Sequence, residues 1–345
     1  MIGNQDELFD KKIKFNLLLL LTLLILLVIV VVFTIMSGMG VKFGENSKIV
    51  TDSTKTKVDT NFVDLWTAPS DWRLDKKENR EQILYGKELV VHTSKYLGPK
   101  GSVRAISNGM NCQNCHLKAG TQPWGNNYFA VSSTYPKFRA RSGSKESMVK
   151  RVNDCFERSL NGKGLDSTSK EMQAILAYIN WLGEDVPKKY VPKGSGIFKM
   201  KSLKRACDLE NGKLVYEQKC QSCHQANGEG VLTADKKEYT YPPVWGNHSF
   251  NNGAGLYRIS NLAGYVRYNM PFGVTYENTQ LTDEEAWDVA GYINSMPRPA
   301  KDLSKDWPDI SKKPFDHPFG PYKDPFSEQQ HKFGPYKPIK EWYKK

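Results

Sequence analysis

The sequence predicts a mainly α-helical protein with two small domains in tandem, preceded by an N-terminal transmembrane helix. Three observations support this prediction: a 20-residue uncharged run near the N-terminus, two Cys-x-x-Cys-His motifs about one domain apart, and helical stretches around each motif. A chain of 345 residues is long enough for about two domains of ordinary size. Hydrophobic residues make up 39% and charged residues 25%, which is typical of a folded, water-soluble body.

Residues 17–36 are the clearest compositional feature. This run of 20 residues carries no charge, and Thr22 and Thr34 are its only polar side chains. At a rise of about 1.5 Å per residue, a helix of this length spans about 30 Å, the thickness of a bilayer core. Lysines between positions 11 and 14 keep the N-terminus cytoplasmic and export the body. We therefore expect a periplasmic body anchored to the inner membrane.

A cleaved signal peptide is the alternative interpretation of this run, and it predicts a soluble periplasmic protein. The apolar core of a signal peptide is normally shorter, roughly 7–15 residues, and no good Ala-x-Ala site follows the run. Both interpretations export the body, and we favour the uncleaved anchor.

The net charge of +12 favours anionic partners in general. No basic stretch interleaved with aromatic residues is typical of a nucleic-acid-binding groove, so we expect no nucleic-acid partner. A solvated basic surface explains most of the charge.

Two copies of the Cys-x-x-Cys-His motif are the strongest indication of a functional site. They are Cys112-Gln113-Asn114-Cys115-His116 and Cys220-Gln221-Ser222-Cys223-His224. The spacing allows both thiols to form thioethers with haem vinyl groups while the histidine ligates iron. A thioredoxin-like motif would need a βαβ context, and a zinc site would need ligands assembled from different domains. The sequence therefore predicts two covalently bound haem c groups, with His116 and His224 as iron ligands.

Helical stretches surround both motifs, as in a pair of cytochrome c folds. Residues 79–98 and 211–219 precede the motifs, and 170–183 and 281–296, each bearing a tryptophan, close the two domains. Thr282 followed by Glu285 predicts a capping box at the start of the last stretch. Small helices wrapped around haem need no sheet. Each motif histidine should donate its other ring N–H to a carbonyl, for which the turns beginning at Pro136 and Pro242 are the candidates.

Composition divides the chain into six segments. They are the cytoplasmic stub and anchor (1–42), a polar stalk (43–60), the first cytochrome c domain (61–187), a linker (188–206), the second cytochrome c domain (207–298) and a C-terminal arm (299–345). The linker is rich in Lys, Pro and Gly. The arm contains a short echo, at 317–325 and 331–339, with Phe, Pro and Tyr in both copies. We expect an extended arm packed on the body in a structural role.

The distal ligand of the second haem is predicted to be Met270. It stands 46 residues after His224 in "VRYNMPFG", between a polar residue and a Pro-Phe-Gly turn. A methionine ligand is typical of an electron-transfer haem and raises its potential. Met296 is the alternative.

In the first domain no methionine occupies an equivalent place, because Met148 and Met172 both lie in predicted helices. Cys155 stands 39 residues after His116, and we expect it to be the distal ligand of the first haem. Two alternatives remain open. Cys155 is either an inert buried cysteine or forms a disulfide with Cys207, the only other spare cysteine in an oxidising compartment.

Helix geometry favours a special role for Cys155. One narrow face carries the predicted core stripe of Val149, Val152, Phe156 and Leu160. Arg151, Cys155 and Ser159, spaced four residues apart, form a second stripe beside it. Seven Lys/Arg between positions 137 and 158 outnumber three acids, and arginine binds oxyanions in bidentate fashion. A thiolate on iron among arginines suits an anionic substrate that contains sulfur.

The sequence resembles the dihaem c-type thiosulfate dehydrogenases and tetrathionate reductases over most of residues 80–300. The features that match are the two Cys-x-x-Cys-His motifs, "RVNDCFERS", "YPKFRARSG" and "NMPFG". The resemblance implies that Cys155 is the distal ligand and catalytic sulfur, and that Arg141, Arg151 and Ser159 bind substrate. Many relatives have a lysine directly before the methionine. Asn269 stands there instead, so the second haem should remain His/Met.

The implied reaction joins two thiosulfates through their sulfane sulfurs into tetrathionate and releases two electrons. The reverse reaction cleaves tetrathionate, and the direction depends on haem potentials that sequence does not specify. The second haem would exchange electrons with a soluble or membrane-bound carrier. Three other classes of protein are alternatives: a sulfur-conjugating cytochrome with a cysteine-ligated haem, a plain electron-transfer cytochrome, and a dihaem peroxidase. A thiolate ligand disfavours the peroxidase.

Overall fold

The computed structural model describes residues 20–22, 24–27 and 65–344. The chain divides into two compact units, Met1–Asp59 and Thr60–Lys345. Nearly all described residues belong to the second unit, which is mainly helical, as predicted.

The described residues of the first unit are helical, and their side chains are exposed. The rest of the predicted transmembrane run at 17–36, and the predicted stalk at 43–60, lie outside the described residues. In the part of the chain that the structure describes, no helix is both long and apolar enough to cross a membrane.

α-Helices of five residues or more make up most of the regular structure in the second unit. They are α1 (Arg80–Val91), α2 (Thr93–Leu97), α3 (Met148–Arg158), α4 (Lys170–Leu182), α5 (Leu209–Lys219), α6 (Ile259–Asn269), α7 (Asp283–Ser295), α8 (Glu328–Phe333) and α9 (Lys337–Trp342). Two small antiparallel ladders are present although none was expected. They pair β1 (Lys137–Arg139) with β2 (Ser144–Glu146), and β3 (Val231–Leu232) with β4 (Tyr239–Tyr241).

The four predicted helical stretches are confirmed. The stretch at 79–98 is divided into α1 and α2 at His92, whose φ of −121° and ψ of 43° interrupt the helix. The capping box of α7 is also confirmed. The Glu285 backbone N–H donates to Thr282 Oγ1 at 3.1 Å, and the Thr282 N–H donates to Glu285 Oε2 at 2.7 Å.

Each haem-motif domain is held together by a close crossing of its first and last long helices, α1 with α4 and α5 with α7. A Cβ atom at Gly86 would lie 1.9 Å from the carbonyl oxygen of Ala174. A Cβ atom at Gly212 would lie 2.1 Å from the carbonyl oxygen of Asp288. Only glycine, which has no Cβ, lets the two backbones approach this closely.

The linker is fixed to the loop that follows the first motif. The Trp124 N–H donates to the carbonyl of Gly194 at 2.8 Å, and the Asn126 N–H donates to the carbonyl of Gly196 at 2.9 Å. The linker up to Gly196 therefore packs on the first domain, whereas Ile197, Met200 and Leu203 pack against the core of the second.

The C-terminal arm packs on the core of the second domain, where Tyr336 and Ile339 are fully buried. The expectation of an extended arm is wrong, because the arm contains the helices α8 and α9. Ser327 Oγ starts α8 by accepting the N–H of Gln330 at 3.2 Å. Gly334, at φ +86°, ends that helix.

We predict that Gly86→Ala and Gly212→Ala each lower the free energy of unfolding by about 1–3 kcal/mol, because the new Cβ forces the crossing helices apart. Denaturant unfolding followed by circular dichroism measures this loss. Gly255→Ala is the matched control, since no atom lies within 4 Å of a Cβ built there. Unchanged stability in the first two variants would contradict the role given to these crossings.

Candidate active site

A cleft in the first domain brings the first Cys-x-x-Cys-His motif and Cys155 together. The cleft, here called the haem cleft, measures about 800 Å³ out to its open mouth. Apolar side chains on its walls are Val131, Met148, Val152, Phe156, Leu160, Ile175 and Ile179. Two thiols and an imidazole converge on this apolar space, so the residues fit a covalently attached haem.

The His116 ring is oriented by the loop that follows it. Its Nδ1–H donates to the carbonyl of Asn126 at 2.5 Å, and the Tyr128 ring stacks on it with centroids 4.5 Å apart. Burial lowers the pKa of His116 to about 4, so the ring is neutral at pH 7 and can ligate iron through Nε2. The expectation that Pro136 supplies the acceptor is wrong. Pro136 directly precedes β1, whereas the linker holds Asn126 in place.

The second motif confirms the other half of that expectation. His224 Nδ1–H donates to the carbonyl of Pro242 at 2.7 Å. Burial lowers the pKa of His224, which again favours the neutral ring that a metal ligand requires. The two domains therefore orient their motif histidines by the same physical means but with different carbonyls.

The predicted distal ligand of the second haem lies directly after α6. Met270 adopts an extended conformation there and packs, together with Cys220, against the core of the second domain. Met296 packs against the same core. Met270 therefore remains the prediction and Met296 the alternative.

Asn269 connects the methionine loop to the first domain. Its Oδ1 accepts a hydrogen bond from Gln122 Nε2 at 2.6 Å, and its Nδ2 donates to the carbonyls of Trp124 at 3.2 Å and Tyr265 at 2.9 Å. The Asn269 side chain is 3% exposed as a result. The residue that replaces the lysine of many relatives is thus a fixed amide between the two domains.

Cys155 lies on α3, where it lines both the haem cleft and a neighbouring cavity. Arg151, one turn earlier, donates from Nη1 to Cys155 Sγ at 3.2 Å. The negative charge of a Cys155 thiolate is the main cause that raises the pKa of Arg151. Ser159 follows α3, and its backbone N–H donates to the carbonyl of Cys155 at 2.8 Å. The predicted stripe is confirmed, and the roles of its three residues stay predictions.

The disulfide alternative for Cys155 is wrong. Both Cys155 and Cys207 are free thiols in the structure. Cys207 packs against the core of the second domain, and burial raises its pKa to about 12. A thiol in that environment is neutral and unreactive at pH 7.

The neighbouring cavity, here called the basic cavity, measures about 1260 Å³ out to its open mouth. Its cationic lining residues are Lys137, Arg139, Arg141, Arg151, Arg158 and Arg258. The loop between β1 and β2 supplies Arg141, and Asp154 is the acid that lines the cavity. Cys155 and Ser159 complete the wall on the side of the haem cleft.

The guanidinium groups of this cavity fall into two sets. Arg158 pairs with both oxygens of Asp306 at 2.8 Å, Arg258 pairs with Asp316, and Arg139 lies 4.0 Å from Glu146. Within residues 65–344, neither of the other two, Arg141 and Arg151, has a carboxylate within 4.0 Å. These two half-buried cations are therefore available to an anion.

Sequence reasoning missed the residues that reach the basic cavity from distant segments. The second domain contributes Leu256, Arg258 and Asn261, and the arm contributes Trp307. No local pattern marks any of them, because each is brought to the cavity only by the packing of separate segments. The acceptor role of Asn126 was missed for the same reason.

Two Cys-x-x-Cys-His motifs in a mainly helical body, one beside an apolar cleft with a thiol at its edge, define a c-type cytochrome with a candidate catalytic centre. Models of protein families agree with this class. The model described as "Cytochrome c" matches residues 209–297, and the model described as "SoxA/TsdA, cytochrome c domain" matches residues 103–187.

Similar proteins indicate which family of c-type cytochromes this chain is related to. The thiosulfate dehydrogenase of Psychrobacter arcticus is 38% identical over 264 residues, which are 75% of this chain and 74% of the relative. That of Allochromatium vinosum is 38% identical over 218 residues, 61% of this chain and 79% of the relative. The solved thiosulfate dehydrogenase TsdBA of Marichromatium purpuratum superposes with a TM-score of 0.62 at 30% identity, covering 68% of this chain and 50% of that one. The chain therefore belongs to the thiosulfate dehydrogenase family.

We predict that Asp306→Ala lowers the free energy of unfolding by about 3 kcal/mol, because it removes the bidentate partner of the buried Arg158 and leaves only Asp154, at 4.0 Å. Thermal or denaturant unfolding measures the loss. Glu341→Ala, which removes an exposed partner of Lys337, is the matched control and should cost less than about 1 kcal/mol. Equal effects of the two changes would show that the Arg158 pair does not secure the arm.

Proposed function

We propose that this chain oxidises thiosulfate to tetrathionate. Two S₂O₃²⁻ ions are joined through their sulfane sulfurs into one S₄O₆²⁻ ion, and two electrons are released. Membership of the thiosulfate dehydrogenase family supports thiosulfate as the substrate. The reverse reaction uses the same site, and the potentials of the haems and of the electron carrier set the direction.

One observation carries the proposal. Cys155 is shared between the haem cleft and the basic cavity, and the Arg151 guanidinium contacts its sulfur. A thiol in this position would have a redox group on one side when haem fills the cleft, and it has a space lined by cations on the other. Neither a plain electron carrier nor a buried inert cysteine requires that combination.

Cys112, Cys115 and His116 would hold one haem with Cys155 as distal ligand, and Cys220, Cys223 and His224 would hold the other with Met270. Bound haem supplies one-electron redox chemistry at iron. Two haems, each with a capacity of one electron, correspond to the two electrons that the oxidation releases. We therefore propose two covalently bound haems per chain, the first at the reaction site and the second for electron transfer to a soluble or membrane-bound carrier.

Cys155 carries the sulfane adduct in the proposed reaction. Its sulfur and the sulfane sulfur of a first thiosulfate form an S–S bond in a two-electron oxidation, which gives Cys155–S–S–SO₃⁻, and the two electrons pass to the electron carrier. A second thiosulfate attacks the sulfane sulfur of this adduct. The bond to Cys155 breaks, tetrathionate leaves, and the thiolate is restored, so that atoms and charges balance over the cycle.

Two dianions must approach each other and a thiolate, so the site needs fixed cations. Arg141 and Arg151 can provide them, because neither is neutralised by a carboxylate within the described residues 65–344. Burial lowers the pKa of Arg141 to about 10, which still leaves it charged at pH 7. Ser159, on the same face of α3, offers a hydroxyl to a sulfonate oxygen. These groups act by electrostatic stabilisation.

We also propose that the body is periplasmic and that residues 17–36 keep it on the inner membrane. The support is the uncharged run and the lysines before it. Cell fractionation of the full chain and of a chain that begins at residue 61 behind a cleavable signal tests this. Recovery of the full chain in the soluble periplasmic fraction would favour the cleaved signal peptide instead.

We predict that thiosulfate reduces the haems of the oxidised wild-type protein and does not reduce those of Cys155→Gly. The glycine variant keeps both haem motifs but has no sulfur on which to form the adduct. Anaerobic stopped-flow absorbance of the reduced haem α band measures the rate. Cys207→Ser, which removes the other spare thiol, is the matched control and should behave as the wild type.

Other outcomes of this experiment separate the remaining classes. Equal reduction of the wild type and of Cys155→Gly would indicate a plain electron-transfer cytochrome and overturn the proposal. A stable sulfane adduct on Cys155 that forms without release of tetrathionate would indicate a sulfur-conjugating cytochrome. Adding tetrathionate to the reduced protein then measures the reverse reaction.

We predict that Met270→His lowers the midpoint potential of the second haem by on the order of 0.1 V or more, within the roughly 0.8 V range that axial ligands span. A histidine ligand stabilises ferric iron more than a thioether does. Spectroelectrochemical titration measures the shift. Met296→Leu should leave both potentials unchanged, and the opposite pattern would make Met296 the ligand.

A further inference from the structure

Trp307 is the residue of the C-terminal arm that lines the basic cavity. It lies 152 residues after Cys155 in the sequence and is 9% exposed. Its backbone N–H donates to the carbonyl of Arg141 at 2.7 Å. Pro308, the next residue, lies against Gly143, where a Cβ would approach its Cγ to 2.6 Å. The arm is therefore in close contact with the loop that carries Arg141.

The side chains of Trp307 and Arg141 are also in contact. The guanidinium carbon of Arg141 lies 5.8 Å from the centroid of the indole ring, within the range of a cation–π interaction. Arg141 Nη1 also donates to the carbonyl of Gly253 in the second domain at 3.3 Å. Both the backbone and the side chain of Arg141 are thus held by segments outside its own loop.

The two neighbouring arm residues hold two arginines in different ways. Asp306 binds Arg158 through both carboxylate oxygens and neutralises it. Trp307 holds Arg141 with an aromatic face, which carries no net charge and leaves the cation available to an anion. The same short segment therefore gives Arg158 a structural role and leaves Arg141 available to an anionic ligand.

The Trp307 backbone adopts φ +61°, a conformation that bulky side chains rarely take. In the described residues 65–344, the indole Nε1–H is buried and has no hydrogen-bond partner. A hydrogen bond of the indole therefore does not explain why a tryptophan stands at this position. Two contacts of the ring remain: its edge-to-face contact with the His317 ring, with centroids 5.7 Å apart, and its contact with the Arg141 guanidinium. Of these two, the contact with Arg141 involves a cation that lines the basic cavity.

We propose that Trp307 is a positioning residue of the active site, which holds the Arg141 guanidinium in the basic cavity for the sulfonate end of thiosulfate. The inference rests on the proposed function. It assigns the C-terminal arm to the substrate site, where the sequence alone predicts only a structural role.

The test measures the kinetics of thiosulfate oxidation by the holoprotein in four forms: wild type, Trp307→Ala, Trp307→Phe and Trp342→Ala. Loss of the aromatic face should raise KM for thiosulfate roughly tenfold with a much smaller change in kcat, because Arg141 loses its orientation but Cys155 is untouched. Trp307→Phe should restore most of the affinity. Trp342→Ala, the same change elsewhere in the arm, should match the wild type.

A binding measurement separates failure of this inference from failure of the proposed function. Thiosulfate is titrated calorimetrically into Cys155→Gly and into Cys155→Gly combined with Trp307→Ala, neither of which can turn over. A roughly tenfold weaker Kd in the double variant supports the inference. Equal Kd values, or equal KM values in active protein, overturn it and leave the proposed function standing. Absence of thiosulfate binding and of haem reduction in the wild type overturns both.

Discussion

The sulfur of Cys155 at the edge of the apolar cleft has a fixed cation beside it, as a buried thiolate would require, because an unpaired buried charge is costly. Arg151 supplies that cation from one turn earlier on α3, at 3.2 Å from the sulfur of Cys155. The rest of the site follows from this contact. The helix and the turn after it must bury Phe156 and Leu160 in the core, and the helical period then places Arg151, Cys155 and the following Ser159 on the neighbouring face. This face of α3 and the turn after it thereby line both the haem cleft and the basic cavity.

Only some of the arginines that line the basic cavity are neutralised by carboxylates. Arg158 of the first domain pairs with Asp306, and Arg258 of the second domain pairs with Asp316, so both pairs connect the cavity wall to the arm. Arg141 lacks such a partner in the described part of the chain and is held by an aromatic ring and a carbonyl. A binding site for dianions needs both arrangements, because the paired arginines give rigidity and the unpaired ones give charge.

Much of this could be predicted from the sequence, because the relevant signals are local. The two Cys-x-x-Cys-His motifs, the capping box of Thr282 and Glu285, and the stripe through Cys155 depend on residues within one or two helical turns. The acceptor for His116 could not be predicted in this way. Pro136 and Asn126 both follow the motif, and the choice of Asn126 depends on a backbone bond from the linker at Gly196.

The course of the arm could not be predicted either, since its helices and its contact with Arg141 depend on surfaces formed by two other domains. Its echo of Phe, Pro and Tyr indicated packing correctly, and Tyr336 is buried in the core of the second domain. Its local conformation was decided by Ser327 and Gly334, which begin and end α8. Ser327 and Gly334, which are weak predictors of structure when taken singly, thus determine the local path of the arm.

The position of Asp306 and Trp307 near the end of the chain also bears on how the protein is made. A chain is synthesised from its N-terminus, and domains generally fold in that order. Both haem-attachment motifs are therefore complete before the ribosome reaches the residues that close the basic cavity. A product of premature termination, or of proteolysis before residue 306, would carry both motifs but lack part of the cavity wall. Haem content and substrate affinity are therefore separate criteria for the quality of a preparation.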